Sequence, residues 1–289
     1  AGTFTQNAVA AAPVFASKKV VATGMAHAIT ANAGCANACT GEQGDKDAAA
    51  MQDITATALG CKADDVVVAS TGVIGVNLPM DKMEAGIKQA VKELSTEGSE
   101  NAGKAIITTD TYSKSCATEI TLGGKEVRFG AIAKGSGMIH PNMATMLVFI
   151  TSDVSIAPSL LQKALSTDIA STFNMLSIDG DTSTNDMVIV MANGQAGNPE
   201  IQEENEDFKT FMKALNTVTV HLCRMIAGDG EGATKLLECH VTGAATLQTA
   251  RTVAKSVICS SLLKAAMFGA DANWGRVLCA IGYSGARVD

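Results

Sequence analysis

The stretch GSGMIHPNMATMLVFIT, residues 135–151, sets a hydroxyl residue, Thr145, at the seam between a turn-rich segment and an apolar run. Gly, Pro and Asn punctuate its first half, and the β-branched and apolar residues at 146–150 read as a buried strand. From local pattern such a Thr reads as a strand that simply begins there, as its propensity allows. Four other stretches carry more glycine and hydroxyl than packing needs. Ser70-Thr71-Gly72-Val73-Ile74-Gly75 follows a β-branched run at 65–69, so its backbone N–H groups would emerge at a strand end. They would form a plain strand-to-helix turn or donate to a developing oxyanion. Lys134-Gly135-Ser136-Gly137 puts an ammonium beside a flexible turn just before Thr145, where the ordinary reading is a solvated charge.

The stretch DGDTSTND at 179–186 superficially resembles a calcium loop but lacks the distal Glu, so a turn built on Asx and Ser/Thr side chains is expected. Gly228-Asp229-Gly230-Glu231-Gly232 reads as a glycine-rich helix C-cap that displays Glu231, and a carboxylate flanked by glycines can approach a ligand closely. The histidines at 27, 140, 221 and 240 are dispersed, assemble no Ser-His-Asp set by spacing, and read as structural. Cys35 and Cys39 form a CxxxC pair with no matching His/Cys pair, and zinc needs about four ligands, so no metal is expected.

The elements that must position these residues follow from periodicity. Helical spacing runs over 46–59, 82–94, 159–173, 208–227 and 247–267, interleaved with strand-like runs at 65–69, 105–109, 119–122, 127–132, 146–150 and 187–191. Gly123-Gly124 between two alternating runs predicts a hairpin turn. The acidic stretch 203–207 reads as a solvated loop before a helix. The order predicts an α+β fold, a layered sandwich of helices packed on mixed β-sheets rather than a strict βαβ repeat. A Gly/Ala/Thr turn near Gly243 suggests a boundary.

A chain of 289 residues with 47% hydrophobic content is long and apolar enough to bury a large core, which excludes disorder as its main state. No apolar run reaches the roughly 18 residues that span a bilayer, so no membrane partner is expected. A net charge of −7 argues against a nucleic-acid partner, which asks for a basic face. The eight cysteines lie mostly in apolar segments, as expected of buried thiols in a reducing compartment. No targeting signal is visible, although the first residues read as the middle of an element and a leader could have been lost.

The pieces occur in an order that resembles one family. NACTGEQG at 37–44, STGVIG at 70–75, AKGSGMIHPNMATML at 133–147, DGDTSTND at 179–186, GDGEGATK at 228–235 and NWGRVLCAIGYSG at 273–285 resemble the glutamate N-acetyltransferase family, also called ornithine acetyltransferase, of arginine biosynthesis. The resemblance covers essentially the whole chain and is most specific around Thr145. It implies an autoprocessed enzyme with an N-terminal threonine nucleophile. The Ala144–Thr145 bond would be cut by the protein itself, giving an α chain 1–144 and a β chain from Thr145. It also implies acetyl transfer from N-acetylornithine to Thr145 and on to glutamate. No cofactor is implied, although some members accept acetyl-CoA as donor. Carried over by position, Thr71 and Gly72 resemble the oxyanion hole, and Thr108, Lys134, Thr145 and Glu231 resemble substrate contacts. The implied partners are the two amino-acid substrates and the enzyme's own α and β chains in an α2β2 heterotetramer. A cytoplasmic location is expected, or a mitochondrial or plastid one for a eukaryotic source.

On the same reading, residues 1–244 form the catalytic domain, with 145–244 the start of the β chain, and 245–289 begin a truncated C-terminal domain. The family pattern extends past both ends of this chain, and its members carry an Asn and a Thr near the C-terminus that have no counterpart here. Two alternatives stay open: an N-terminal-nucleophile aminopeptidase or amidase, and an inactive truncated relative.

Overall fold

The computed structural model describes residues 1–140 and 146–287. In chain order the first elements are β1 (Gly2–Phe4), α1 (Ala12–Ala22), β2 (Ala28–Cys35), α2 (Gly41–Leu59), β3 (Val66–Val73), α3 (Met80–Lys92) and α4 (Ser99–Ala105). They are followed by β4 (Lys114–Leu122), β5 (Lys125–Lys134), β6 (Leu147–Ser152), α5 (Pro158–Ile169), β7 (Met187–Ala192) and α6 (Glu206–Gly228). The chain then runs through α7 (Leu247–Cys259), α8 (Ser261–Phe268) and α9 (Trp274–Gly282). Among the described residues, one five-stranded sheet has the order β1-β7-β6-β5-β4 and a second pairs β2 with β3 in parallel. The large sheet is mixed: β6 and β7 run parallel, while its other pairs are antiparallel.

Strand alternation assigns the layers. Val148 and Ile150 of β6, with Val188 and Val190 of β7, enter one core with Leu165 of α5 and Phe211, Leu215, Leu222 and Ile226 of α6. Leu147, Phe149, Met187 and Ile189 point the other way, into a core shared with Val14 and Val20 of α1 and Val67 and Ala69 of β3. The opposite face of β3, Val66 and Val68, packs against Met51 of α2 and Ile87 of α3. The result is four layers: α5 and α6, the large sheet, the β2–β3 sheet with α1, then α2 and α3. Because β6, β7 and β3 are covered on both faces, their sequences are continuous apolar runs rather than alternating ones.

The local signals explain the ends of several elements. In α6, Asn205 accepts a hydrogen bond from the Phe208 N–H, and Glu206 and Asp207 sit in the first turn, where the helix dipole favours negative charge. The acidic stretch is therefore partly inside the helix, not only a loop before it. Gly123 and Gly124 both take positive φ, +53° and +77°, between the paired residues Leu122 and Lys125, the geometry of a type I′ hairpin.

Two expected elements differ. The run 105–109 is not a strand: α4 ends at Ala105, Ile106 is buried, and the Thr108 N–H donates to the Asp110 carboxylate at 3.2 Å. The side-chain hydrogen bonds of Asp110 override the β-propensity of the Ile and Thr residues. The single helix expected at 247–267 is two helices, α7 and α8. Ser260 between them takes an extended backbone, and its hydroxyl caps α8 at the Leu263 N–H. The thiols also depart from expectation, since Cys35 and Cys223 are buried whereas Cys39 and Cys279 are exposed. No helix among the described residues is long and apolar enough to cross a membrane.

Candidate active site

Ala144 and Thr145, the expected cleavage pair and nucleophile, lie outside the described residues. The chain is described again at Met146, directly before β6, and β6 pairs with β5 so that Leu147 sits opposite Lys134. Lys134 therefore stands at the end of β5 beside the segment that leads out of Thr145. The residue is 3% exposed, and its Nζ donates to the Thr71 hydroxyl at 3.3 Å. The expectation of a solvated lysine is thus corrected: sheet register draws this ammonium inward.

Thr71 and Gly72 were expected in a loop beyond a strand, yet both lie within β3, paired with Ala33 and Gly34 of β2. The physical reason is visible at Gly72. Its φ is +129°, and a Cβ there would fall 2.3 Å from the Gly34 carbonyl carbon, so two glycines let the parallel strands close up. Asn185 fastens this corner, its Nδ2 donating to the carbonyl oxygens of Ala36 at 2.6 Å and Ser70 at 2.8 Å.

Lys134 belongs to a buried charge network that its own sequence does not announce. Its Nζ is 4.0 Å from Asp110 Oδ2. Asp110 Oδ1 accepts from the Gly135 N–H at 2.7 Å and from Lys114 Nζ at 2.6 Å. Lys114, fully buried, bonds equally closely to Asp229 Oδ2, 2.6 Å away. Burial lowers the pKa of Lys134; the nearby Lys114 adds to that effect, while Asp110, Asp186 and Glu231 oppose it. Burial works the other way on Asp110 and Asp229, raising their pKa values. The hydrogen bonds from Lys114, helped by the Gly135 and Thr111 N–H groups, outweigh it and leave both carboxyls below their ordinary value.

The network reaches the other expected contacts. The Thr108 N–H bonds to the same Asp110 oxygen that faces Lys134, while the Thr108 residue is exposed. Asp229 caps the end of α6, and its carbonyl accepts from the Ser136 hydroxyl at 2.6 Å. The Glu231 N–H returns a bond to the Ser136 carbonyl at 3.1 Å. Glu231 is exposed, and its carboxylate presses so closely on Gly137 that a Cβ there would meet Oε1 at 2.4 Å. Thr71, Thr108, Lys134 and Glu231 are thus joined through shared partners around the start of β6. The residue that ends α6 is Asp229 rather than a left-handed glycine, and it is a charged member of the site.

Asp110, Lys114 and Asp229 were missed in the sequence. The Asp110–Lys114 spacing of four is an ordinary helical pair, and nothing local marks Asp229. Asp186 was read as part of a structural turn, yet it is 1% exposed, with Oδ1 accepting from the Met146 N–H at 2.9 Å. Its Oδ2 is buried without a hydrogen-bond partner among the described residues, and burial raises its pKa well above the ordinary carboxylate value. No cluster of His, Cys, Asp and Glu able to hold a metal occurs among the described residues. Glu231 lines a cleft of about 420 Å³ between the end of α6 and α8. A larger surface cleft of about 600 Å³, over Glu119, Arg128 and Asp153, contains none of these residues.

Comparison with known proteins accounts for the whole chain. The chain is 55% identical to the arginine biosynthesis bifunctional protein ArgJ of Symbiobacterium thermophilum over all 289 residues, which make up 72% of that protein. It is 53% identical to the ArgJ 1 protein of Clostridium acetobutylicum, again over its full length and 71% of the relative. A crystal structure of the ArgJ protein from Bacillus halodurans matches with a TM-score of 0.47 and 53% identity, covering 50% of this chain and 66% of that one. The chain thus spans about seven tenths of the length of its curated relatives. With a family model matching residues 1–289 and relatives more than half identical along its full length, the chain belongs to the ArgJ family.

Proposed function

We propose that the chain is the larger part of a self-cleaving acetyltransferase that moves the acetyl group of N-acetylornithine to glutamate through an acetyl-Thr145 intermediate, in arginine biosynthesis. One observation carries the reading: β5 sets Lys134 opposite Leu147, two residues after Thr145, with the Thr71 hydroxyl 3.3 Å from its ammonium. An anion-stabilising hydroxyl and a cation thus converge where the chain emerges from Thr145.

In the precursor, the Thr145 hydroxyl adds to the Ala144 carbonyl carbon and gives up its proton. The tetrahedral oxyanion collapses by expelling the Thr145 nitrogen, which takes a proton and becomes a free amine, leaving Ala144 as an ester on Thr145. Water then hydrolyses the ester to the Ala144 carboxylate and restores the hydroxyl. The freed α-amino group has a reference pKa of about 7.7–8.0, so part of it is neutral near pH 7 and can accept the hydroxyl proton. Base and nucleophile then belong to one residue.

Attack of Thr145 on N-acetylornithine releases ornithine and leaves the acetyl ester; the amine of glutamate attacks that ester and departs as N-acetylglutamate. Thr71 and Gly72 would donate to the oxyanion in both halves, a contribution on the order of 10²-fold per donor. Lys134 suits a substrate carboxylate and Glu231 a substrate amine, each by a charge-assisted bond. Acetyl-CoA as a second donor and an α2β2 assembly belong to the same proposal.

The test is an intact-mass spectrum of the full-length protein, followed by incubation with N-acetylornithine with and without glutamate. Two fragments meeting at Ala144/Thr145 and ornithine release that depends on glutamate are expected. Ornithine release independent of glutamate would make it a hydrolase instead. A chain that stays whole and releases nothing would refute the enzymatic reading.

A further inference from the structure

The 179–186 loop, which the substrate chemistry above leaves unused, touches the cleavage segment on both sides and the oxyanion strand as well. On the entry side, the Asp179 carboxylate accepts from the N–H groups of Met138 and, at 3.0 Å, Ile139. The Ile178 N–H donates to the Ile139 carbonyl, and the Thr182 hydroxyl donates to the His140 carbonyl at 2.9 Å. Ile139 and Thr182 also form a β-bridge. Met138 is held at φ +61°, a left-handed conformation that non-glycine residues rarely keep without such partners. On the exit side, Met146 is pinned twice: its N–H donates to Asp186 Oδ1 at 2.9 Å, and its carbonyl accepts from the Met187 N–H at 3.1 Å. Between Thr182 and Asp186, Asn185 binds the Ser70 carbonyl, one residue before Thr71.

We propose that this loop is the positioning device of self-cleavage, with Asp179 and Asp186 holding the backbone before and after the cut bond in register with Thr71 and Gly72. The inference rests on the self-cleavage reading and adds residues to it. An intramolecular attack gains its rate from geometry held in advance, so loosening either clasp slows the cut even when the reacting groups are intact. Asp186 carries a sign of function over stability. Its carboxyl is buried, one oxygen has no hydrogen-bond partner among the described residues, and burial penalises its ionised form. As an anion it makes a charge-assisted bond to the Met146 N–H, which weakens when it takes up a proton. The charged group facing it is Lys134 of β5, which favours the anion. The Thr5 hydroxyl, which donates to the Ser183 carbonyl, also lies near it.

The test uses the full-length protein and follows the cleaved fraction by intact mass from pH 5 to 9, with thermal unfolding alongside. Asp186→Asn keeps an oxygen for the Met146 N–H but removes the charge. It should slow cleavage on the order of 10²-fold, abolish the acid-side fall of the wild-type rate, and leave the melting temperature unchanged or higher. Asp179→Asn, at an exposed position that tolerates the change, should slow cleavage about tenfold without changing the pH profile. Wild-type cleavage rates in both variants would overturn the inference alone. So would slow cleavage that merely tracks a lowered melting temperature. A wild-type protein that never splits at Ala144/Thr145 would instead refute the self-cleavage reading itself.

Discussion

Replacing Lys114 by Met isolates what the buried charge network contributes. Lys114 Nζ is fully buried, 2.6 Å from Asp110 and 2.6 Å from Asp229, and 4.8 Å from the centre of the Tyr112 ring. With Lys134 beside Asp110, two ammonium groups balance two carboxylates. Removing one cation from a buried pair typically costs about 3–5 kcal/mol, because the orphaned carboxylates remain desolvated. Here the carboxylates keep other donors: Gly135 and Thr108 on Asp110, and Thr111 on Asp229. The loss should therefore sit near the lower end, about 3 kcal/mol. At roughly 2 °C per kcal/mol for a chain of this size, the melting temperature should fall by about 6 °C. Urea and thermal unfolding at pH 7, followed by circular dichroism, measure it. The triple variant Lys114→Met, Asp110→Asn, Asp229→Asn removes the orphaned charges and should regain most of the stability. Its acetyl transfer should stay impaired, since Lys134 loses the carboxylate that faces it at Asp110. A single-variant loss below about 1 kcal/mol, or a triple variant no more stable than the single one, would refute the argument.

Thr71→Ala should lower kcat on the order of 10²-fold with little change in KM, because an oxyanion donor acts in the transition state; steady-state kinetics read it, and a raised KM at unchanged kcat would remove Thr71 from that role. Gly72→Ala forces a side chain to φ +129° and against the Gly34 backbone. The dihedral alone costs about 1–3 kcal/mol, so soluble yield and self-cleavage should both fall, whereas Gly75→Ala, with nothing within 4 Å, should pay only the strain of its own positive φ. Acid should weaken the fold through Asp110 and Asp229. Their folded-state pKa values lie below the ordinary value of 3.8, so the stability they confer is present above that value and is lost as pH falls through the depressed ones. A urea midpoint measured from pH 5 down to 2.5 should drop less steeply in the neutral triple variant.

Much of the architecture could be read from spacing alone. The apolar runs of β3, β6 and β7, the Gly-Gly hairpin and the amphipathic repeat of α6 are local patterns, and local patterns survive folding when both faces of an element agree with them. The stretches holding Thr71, Gly72, Lys134 and Glu231 could be singled out because glycines and hydroxyls beside strand or helix ends depart from what packing requires, whereas Thr108 was indicated only by the family resemblance. The β-branched run 105–109 misled because its conformation is decided by Asp110, whose partners lie at Lys114 and Gly135. Position 260 broke a periodic helix because one hydroxyl caps better than the periodicity continues.

What the sequence by itself determined is therefore the strongly patterned elements, their apolar faces and the residue types able to attack, to stabilise an oxyanion and to bind charged substrates. Only the tertiary structure decided which of them meet. Lys134 is 63 residues from the Thr71 hydroxyl it touches, Lys114 is 115 from Asp229, and Asn185 is 115 from the Ser70 carbonyl. Such contacts leave no periodic trace, because they are set by sheet register and by the burial of charges that must find partners once water is gone.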